Sequence, residues 1–276
     1  MSHTLDLDAY FRRIQSVGTA RVPTLNTLNQ IVAAHVQAIP FENLDILLGR
    51  PISLEIEDLE TKLVHNNRGG YCFEQNTLLL HVLRAIGFDV TPISGRVRIG
   101  REREDSAPRT HLFLRVEING ETWLADVGVG ALSPTSAIRL CLDTPQKTPH
   151  EPRRIVAQGD WNGFDLRAPD AVLFHQAKLG EHWSDVCEFT LEPMPTIDRI
   201  GANWYTSTHH DSHFRNRLVV AKAEGSGRIS LLNSELKTRD ASGQSQTQTL
   251  ESKSELLRVL RQRFQLHFAS DTVFPV

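Results

Sequence analysis

Asn119-Gly120, within HLFLRVEINGETWLADVGVG, constrains the fold of this chain more than any other two residues. Runs of alternating polarity flank the pair, and Asn-Gly in that setting predicts a β-hairpin with a two-residue type I′ turn. With those two residues as the loop, Ile118 opposes Glu121, Val116 opposes Trp123, Leu114 opposes Ala125 and Leu112 opposes Val127. That face is almost wholly apolar and is expected to lie on the core. The other face sets His111, Phe113, Arg115 and Glu117 against Gly128, Asp126, Leu124 and Thr122. His111 and Asp126 are then diagonal neighbours, with backbones roughly 7–8 Å apart. Side chains can close that gap to a hydrogen bond, and a histidine oriented by a carboxylate is the base half of a nucleophilic triad. A register one residue different would put the two on opposite faces, so the pairing depends on the turn.

The nucleophile this pair calls for is expected in RGGYCFEQN, residues 68–76. Gly69-Gly70 permit backbone conformations other residues resist, and they allow another chain segment or a substrate to approach closely. A helix beginning near Tyr71 or Cys72 places the thiol in its first turn, where the dipole and the free N–H groups attract negative charge. The same N–H groups are suited to hold the oxyanion of a tetrahedral intermediate. A free cysteine is ordinarily a small buried hydrophobe. Double glycine, helix entry and a facing His/Asp pair together reverse that expectation for Cys72. Cys141 in IRLCLDT and Cys187 in SDVCEFT sit in strand-like alternation without those features and are read as packing residues.

Around these motifs the chain divides by periodicity. Residues 1–87 read as helical: LDAYFRRIQSV, TLNTLNQIVAAHVQAI with Thr24 as N-cap, ISLEIEDLETKLVHNN, and FEQNTLLLHVLRAIG ending at Gly87. Residues 88–192 switch to period two, in the short strands RVRIG, HLFLRVEI, ETWLADV, RRIVAQ and HWSDVCEFTLEPMP, with a Pro-rich surface loop in LDTPQKTPHEPR. Residues 193–276 are mixed. THHDSHFRNRLVVAKAEGSGRISLLN suggests strand, GSG turn and strand; DASGQSQTQTL is a polar loop or hairpin; SKSELLRVLRQRFQL is an amphipathic helix capped by Ser252 or Ser254. The fold class is α+β, with a helical part, a β part and an α/β part in that order.

Composition narrows the function. With 276 residues, 40% hydrophobic, the chain can build its core without disulfides or a structural metal. A formal net charge of -3 gives no excess of basic charge to suggest nucleic acid or a membrane surface. Three widely spaced cysteines without a CxxC pair argue against a disulfide framework and a zinc site, and fit a reducing cytoplasm. The first residues lack the pattern of a signal peptide, and the most apolar stretch is too short to span a bilayer. GVGALS fails the dinucleotide fingerprint, and no P-loop occurs.

RGGYCFEQN, RTHLFL, ADVGVG, IPFENLDI and NWYTSTHHDSHF, collinear over nearly the whole chain, resemble the bacterial arylamine N-acetyltransferases. The resemblance implies a helical bundle (1–87), a central β-barrel-like domain (88–192), and an interdomain segment with an α/β lid (193–276). It also implies a core similar to transglutaminase-like and papain-like cysteine enzymes. By motif position Cys72 is the acetyl-accepting nucleophile, His111 its base and Asp126 the residue that orients His111. The implied cycle is ping-pong: acetyl-coenzyme A acylates Cys72, then an arylamine, hydrazine or hydroxylamine takes the acetyl group. Acetyl-coenzyme A is a co-substrate, with no permanently bound cofactor and no metal. The family further implies Thr110, Gly128, Val129, Gly130 and Phe214 as coenzyme contacts and Phe41, Tyr71 and Val129 as acceptor contacts, while Glu42 and Arg68 read as a structural ion pair. Relatives commonly have DVGFG, so Val129 is expected to widen the pocket or remove a stacking surface. The His209, His210 and His213 spacing matches no metal motif and reads as surface or coenzyme-contacting. A cytoplasmic monomer or weak homodimer is expected, with no nucleic-acid or membrane partner. The rival readings are another thiol acyl enzyme on the same triad, a hydrolase or amide synthase, and a non-enzymatic ligand-binding homologue.

Overall fold

The computed structural model describes residues 4–159, 165, 166, 168, 170–225, 227–240 and 242–275. Helices α1 (Leu7–Arg13), α2 (Leu25–Ala38) and α5 (Cys72–Ile86) form the helical group. Their ends follow the local chemistry of the chain. Asp6 Oδ1 accepts the Ala9 N–H at 2.9 Å, Thr24 Oγ1 accepts the Thr27 N–H at 3.2 Å, and Gly87 closes α5 at a φ of 102°. Tyr10, Phe11, Leu28, Ile31, Val32, Leu79 and Leu83 of these helices share one core with Leu114, Val116, Ile118, Ala125 and Val127. The helices thus lie on the face of the hairpin that its alternation marks as apolar. Between α2 and α5 a short helix α3 (Leu44–Leu47) comes first, and the helix expected over residues 52–67 is α4 (Ile56–Leu59), which widens into a π-type turn at Glu60–His65. Lys62 in that turn binds Asp45 Oδ2 and Glu74 Oε1, both at 2.7 Å, tying it to α3 and α5.

Seven antiparallel strands form the larger sheet: β2 (Asp89–Val97), β3 (His111–Ile118), β4 (Glu121–Ala125), β5 (Ile138–Arg139), β6 (Arg153–Ala157), β7 (Leu173–Leu179) and β8 (His182–Pro193). Their order is β5-β4-β3-β2-β8-β7-β6. The chain after β5 bridges to β6 through Leu142–Ile155 and Gln146–Arg153, so the sheet nearly closes into a barrel. β3 and β4 pair as Ile118–Glu121, Val116–Trp123 and Leu114–Ala125, with Asn119 at φ 52° and Gly120 at φ 79°. The Asn-Gly turn has therefore set the expected register. The second face of β3 is buried at His111 and Phe113 and half-buried at Arg115 and Glu117. Its buried part points into the barrel, where Ile93, Phe113, Leu124, Ile138, Ile155, Leu173, Cys187 and Phe189 pack together.

The smaller sheet runs β1 (Phe41–Glu42), β9 (Val219–Glu224), β10 (Gly227–Leu232), β11 (Glu235–Arg239) and β12 (Ser245–Thr249). Its first strand comes from the N-terminal part of the chain, so Phe41 is anchored opposite Ala221. Of the two readings of the polar 240–250 stretch, the hairpin holds: Ser245–Thr249 pair antiparallel with β11 as β12. Ala241 of that stretch and Ser226 of the expected GSG turn lie outside the described residues. α8 (Lys253–Phe264) is capped by Ser252 and packs Leu260 and Phe264 with Val220, Ile229 and Leu231. Helices α6 (Thr196–Thr208) and α7 (His213–Asn216) were not legible as helices. The apolar residues Ile197, Ile200 and Trp204 of α6 face outward, so their spacing marks no core stripe.

Candidate active site

Cys72 is the first residue of α5 and is 3% exposed. The entry to that helix is held from both sides. Tyr71 N–H donates to Glu74 Oε2 at 3.1 Å, and Gln75 Nε2 donates to the Gly70 carbonyl at 2.8 Å and to the Pro40 carbonyl at 3.1 Å. A side chain on Gly69 would lie 2.1 Å from the Pro40 oxygen, and one on Gly70 would strike Glu74. Neither glycine has a positive φ. The double glycine thus serves close approach of the Pro40 segment, not an unusual backbone conformation.

His111 opens β3 and Asp126 follows β4, and the hairpin delivers them to one face. His111 Nε2 and Asp126 Oδ2 are 2.7 Å apart, with the residues 1% and 5% exposed. Burial alone would push the imidazole pKa down; the Asp126 carboxylate and its hydrogen bond, with Cys72 nearby, outweigh it and hold His111 above its ordinary value. Burial likewise opposes the charge on Asp126, yet His111, the Gly128 N–H and Asn76 keep its carboxyl below the usual range. Phe113 stacks on the imidazole, ring centres 5.6 Å apart and planes 16° from parallel. The Cys72 thiol lies 3.6 Å from the Thr110 carbonyl, the residue before His111. A thiol, an imidazole with Nδ1 uncommitted to Asp126, and a buried carboxylate are the parts needed for nucleophilic catalysis.

Asn76 was missed in the sequence. Its Nδ2 donates to Asp126 Oδ1 at 3.0 Å and to the Leu112 carbonyl at 2.7 Å, while its Oδ1 accepts the Val127 N–H at 3.1 Å. It ties α5 to both strands of the hairpin. The signal was present: Asn76 is four residues after Cys72, hence on the same helical face. A longer-range support had no such signal. Tyr10 Oη meets His35 Nδ1 at 2.9 Å, and His35 Nε2 meets Gln75 Oε1 at 2.9 Å, which links α1 and α2 to the turn before Cys72. Burial lowers His35 to a pKa of about 3, so it folds neutral. The unfolded chain binds that proton near 6.5, so stability falls as pH drops from about 6.5 toward 3. The unfolding free energy of His35→Gln is expected to fall less steeply over that window, as read by urea unfolding at stepped pH. An unchanged slope would contradict this assignment.

Gly128 and Gly130 sit against the site. A Cβ on Gly128 would lie 2.7 Å from Cys72 Cα and 2.7 Å from Asn76 Nδ2, so Gly128→Ala must displace the backbone at the helix entry. A misplacement near 1 Å costs about 10²-fold in rate. Gly128→Ala is expected to lose at least that in kcat/KM, as initial rates will show. A Cβ on Gly130, which has a φ of 77°, would lie 3.6 Å from the Phe41 ring. Phe41, Tyr71 and Phe214 gather around Cys72: Phe214 lies 5.9 Å from Phe41 and 5.6 Å from Tyr71, centre to centre. Tyr71 is fully buried, its hydroxyl on Asn203 of α6. Val129 is not in that group; its side chain packs with Leu132, Ala177 and Val186 in the barrel. Arg68 donates to Glu42 Oε1 through Nη2 at 2.7 Å, and Glu42 Oε2 accepts the Leu44 N–H, a structural arrangement. His209, His210 and Asp211 bring potential ligand atoms within 4.8 Å of one another on an exposed turn, without His213. No helix among the described residues is long and apolar enough to cross a membrane.

The family model for N-acetyltransferases matches residues 24–273. The chain is 41% identical over 264 residues to the arylamine N-acetyltransferase of Mycolicibacterium smegmatis, covering 94% of this chain and 91% of that one. To the arylamine N-acetyltransferase of Escherichia coli K12 it is 39% identical over 228 residues, 82% of this chain and 76% of the other. Among solved structures, the Mycobacterium marinum arylamine N-acetyltransferase in complex with CoA superposes with a TM-score of 0.86 at 35% identity, covering 94% of this chain and 92% of that one.

Proposed function

The chain belongs to the arylamine N-acetyltransferase family, and from that premise we propose that it carries the acetyl group of acetyl-coenzyme A to an arylamine, hydrazine or hydroxylamine nitrogen through a thioester on Cys72. The observation that carries this reading is the buried His111–Asp126 hydrogen bond beside a cysteine at the start of α5. In the first half-reaction the thiol proton resides on His111, and the Cys72 sulfur, as the thiolate of that pair, attacks the acetyl carbonyl. The N–H groups of the first turn of α5 support the oxyanion. The tetrahedral intermediate expels the coenzyme A sulfur, which leaves with the proton from His111. In the second, the acceptor nitrogen attacks the Cys72 thioester, His111 removes its extra proton, and the cysteine sulfur leaves, regenerating the enzyme. Asp126 holds the ring and stabilises its cationic form throughout.

Acetyl-coenzyme A acts as a co-substrate. Gly128, packed on Cys72 and Asn76, and Gly130, facing Phe41, form the backbone beside the thiol along which its pantetheine arm lies, with Thr110 and Phe214 as further contacts, and Phe41 and Tyr71 shape the acceptor side. Val129 acts from the barrel wall behind the glycines, so its effect on acceptor preference runs through the position of the Gly128–Gly130 backbone. Initial rates at varied acetyl-coenzyme A and p-anisidine test the two-step order. Parallel double-reciprocal lines are expected. Intersecting lines would mean direct transfer in a ternary complex and would sink the acyl-enzyme.

A further inference from the structure

The barrel interior holds a second polar group of residues, carried by β6 to β8. The registers place Ile155, His175, Cys187 and Val97 on one rung and Arg153, Ala177 and Ser184 on another. Arg153 and His175 are therefore diagonal neighbours on one face of the sheet. Arg153 is 0% exposed and His175 is 5% exposed. Arg153 Nη2 donates to the Leu132 carbonyl at 2.9 Å and to Glu151 Oε2 at 3.1 Å. Its Nε and Nη1, and His175 Nε2, are buried without a hydrogen-bond partner. Such a group loses its hydration with nothing in return, and loses more when charged, so native interiors rarely leave one unmet. Here three belong to two diagonal neighbours on one face of the sheet.

Charge distinguishes what meets them. Glu151 is shared by Arg153, Arg228 and Arg239. Arg228 grips it with two bonds of 2.7 Å, and Arg228 and Arg239 stand directly opposite each other on β10 and β11. Like charges directly opposite are destabilising, and one carboxylate cannot neutralise three guanidinium groups. A water molecule would satisfy hydrogen bonds and leave the positive excess untouched. A small anion does both. Val129, Leu132, Ala177 and Val186, with Val97 and Leu179, make the neighbouring interior apolar. That setting favours a weakly hydrated monovalent ion over phosphate, whose dehydration is far more expensive.

We infer that the barrel binds a monovalent halide-sized anion, chloride under ordinary salt conditions, between Arg153 Nε and Nη1 and His175 Nε2. His175 serves as a neutral donor, since burial and the Arg153 charge lower its pKa to about 3. The site is distinct from the Cys72 thiol, although His175 lies within electrostatic reach of Asp126 and His111.

The test uses the whole protein exchanged into sodium gluconate, then titrated with sodium chloride or sodium bromide at fixed ionic strength. A saturable rise in Tm of several degrees is expected with either halide, and crystals grown in bromide should show an anomalous peak between Arg153 and His175. In Arg153→Met the saturable rise should vanish. If that variant fails to fold, the bromide peak and the halide response of the unaltered protein still decide. A Tm that follows ionic strength alone, or the absence of a bromide peak at this position, overturns the inference and assigns the site to water.

Discussion

Cys72→Ala is expected to fold and to have no measurable acetyl transfer, a loss on the order of 10⁴-fold or more in kcat. The substitution removes one buried sulfur from a site 3% exposed and leaves the supports of the helix entry in place: Tyr71 on Glu74, and Gln75 on Gly70 and Pro40. Tm should therefore change by a few degrees at most, which separates lost chemistry from lost structure. No other described thiol substitutes for it. Cys187 sits deep in the barrel at 2% exposure, where burial pushes its pKa well up, and its sulfur lies where a Cβ on Gly95 would sit. Retention of a tenth of the activity in Cys72→Ala would remove the acyl-enzyme from the account.

Asp126→Asn should lower kcat by about three to four orders of magnitude while KM for the acceptor moves little, the size seen when a triad carboxylate is neutralised. Asp126 is an acceptor on every side: His111 on Oδ2, and Asn76 and the Gly128 N–H on Oδ1. An asparagine presents an NH₂ to one of those donors and must break a bond. It also removes the charge that does most to hold His111 above its ordinary pKa, leaving burial opposed only by Cys72 and pushing the ring toward neutrality. The sign of the stability effect follows. In the native protein the pair contributes fully between the unfolded carboxyl and histidine values of 3.8 and 6.5, and on the alkaline side the contribution fades as pH rises through the higher folded value of His111. Asp126→Asn should lose that alkaline decline as well as the activity. A variant inactive yet with the same alkaline stability profile would mean that Asp126 positions the ring without charging it.

The hairpin was legible because its determinants are local. A two-residue turn and strict alternation leave one register, and that register brings His111 to Asp126. The helix starting at Cys72 was legible for the same reason, as were the caps Thr24 and Gly87. What stayed hidden is carried by side chains far apart in sequence. Tyr10, His35 and Gln75 meet across three helices, and Glu151 gathers arginines from β6, β10 and β11. Neither group leaves a period or a motif. Asn76 lies between these cases, with a helical spacing that pointed to the Cys72 face but not to the carboxylate it holds. Helix α6 was missed because its apolar residues face solvent and only Asn203 and Thr206 are buried, so its pattern describes no core. Of the two reasons the double glycine suggested, close approach holds, to the Pro40 oxygen at Gly69 and to Glu74 at Gly70, and backbone freedom does not.

The measurement that bears most directly on the central claim is an intact mass of the purified protein mixed with acetyl-coenzyme A and no acceptor, beside Cys72→Ala. One added acetyl group is predicted on the native chain and none on the variant, and the adduct should disappear when p-anisidine or hydralazine is added. A native chain whose mass is unchanged while it still acetylates p-anisidine, or an adduct that persists in Cys72→Ala, would contradict transfer through Cys72.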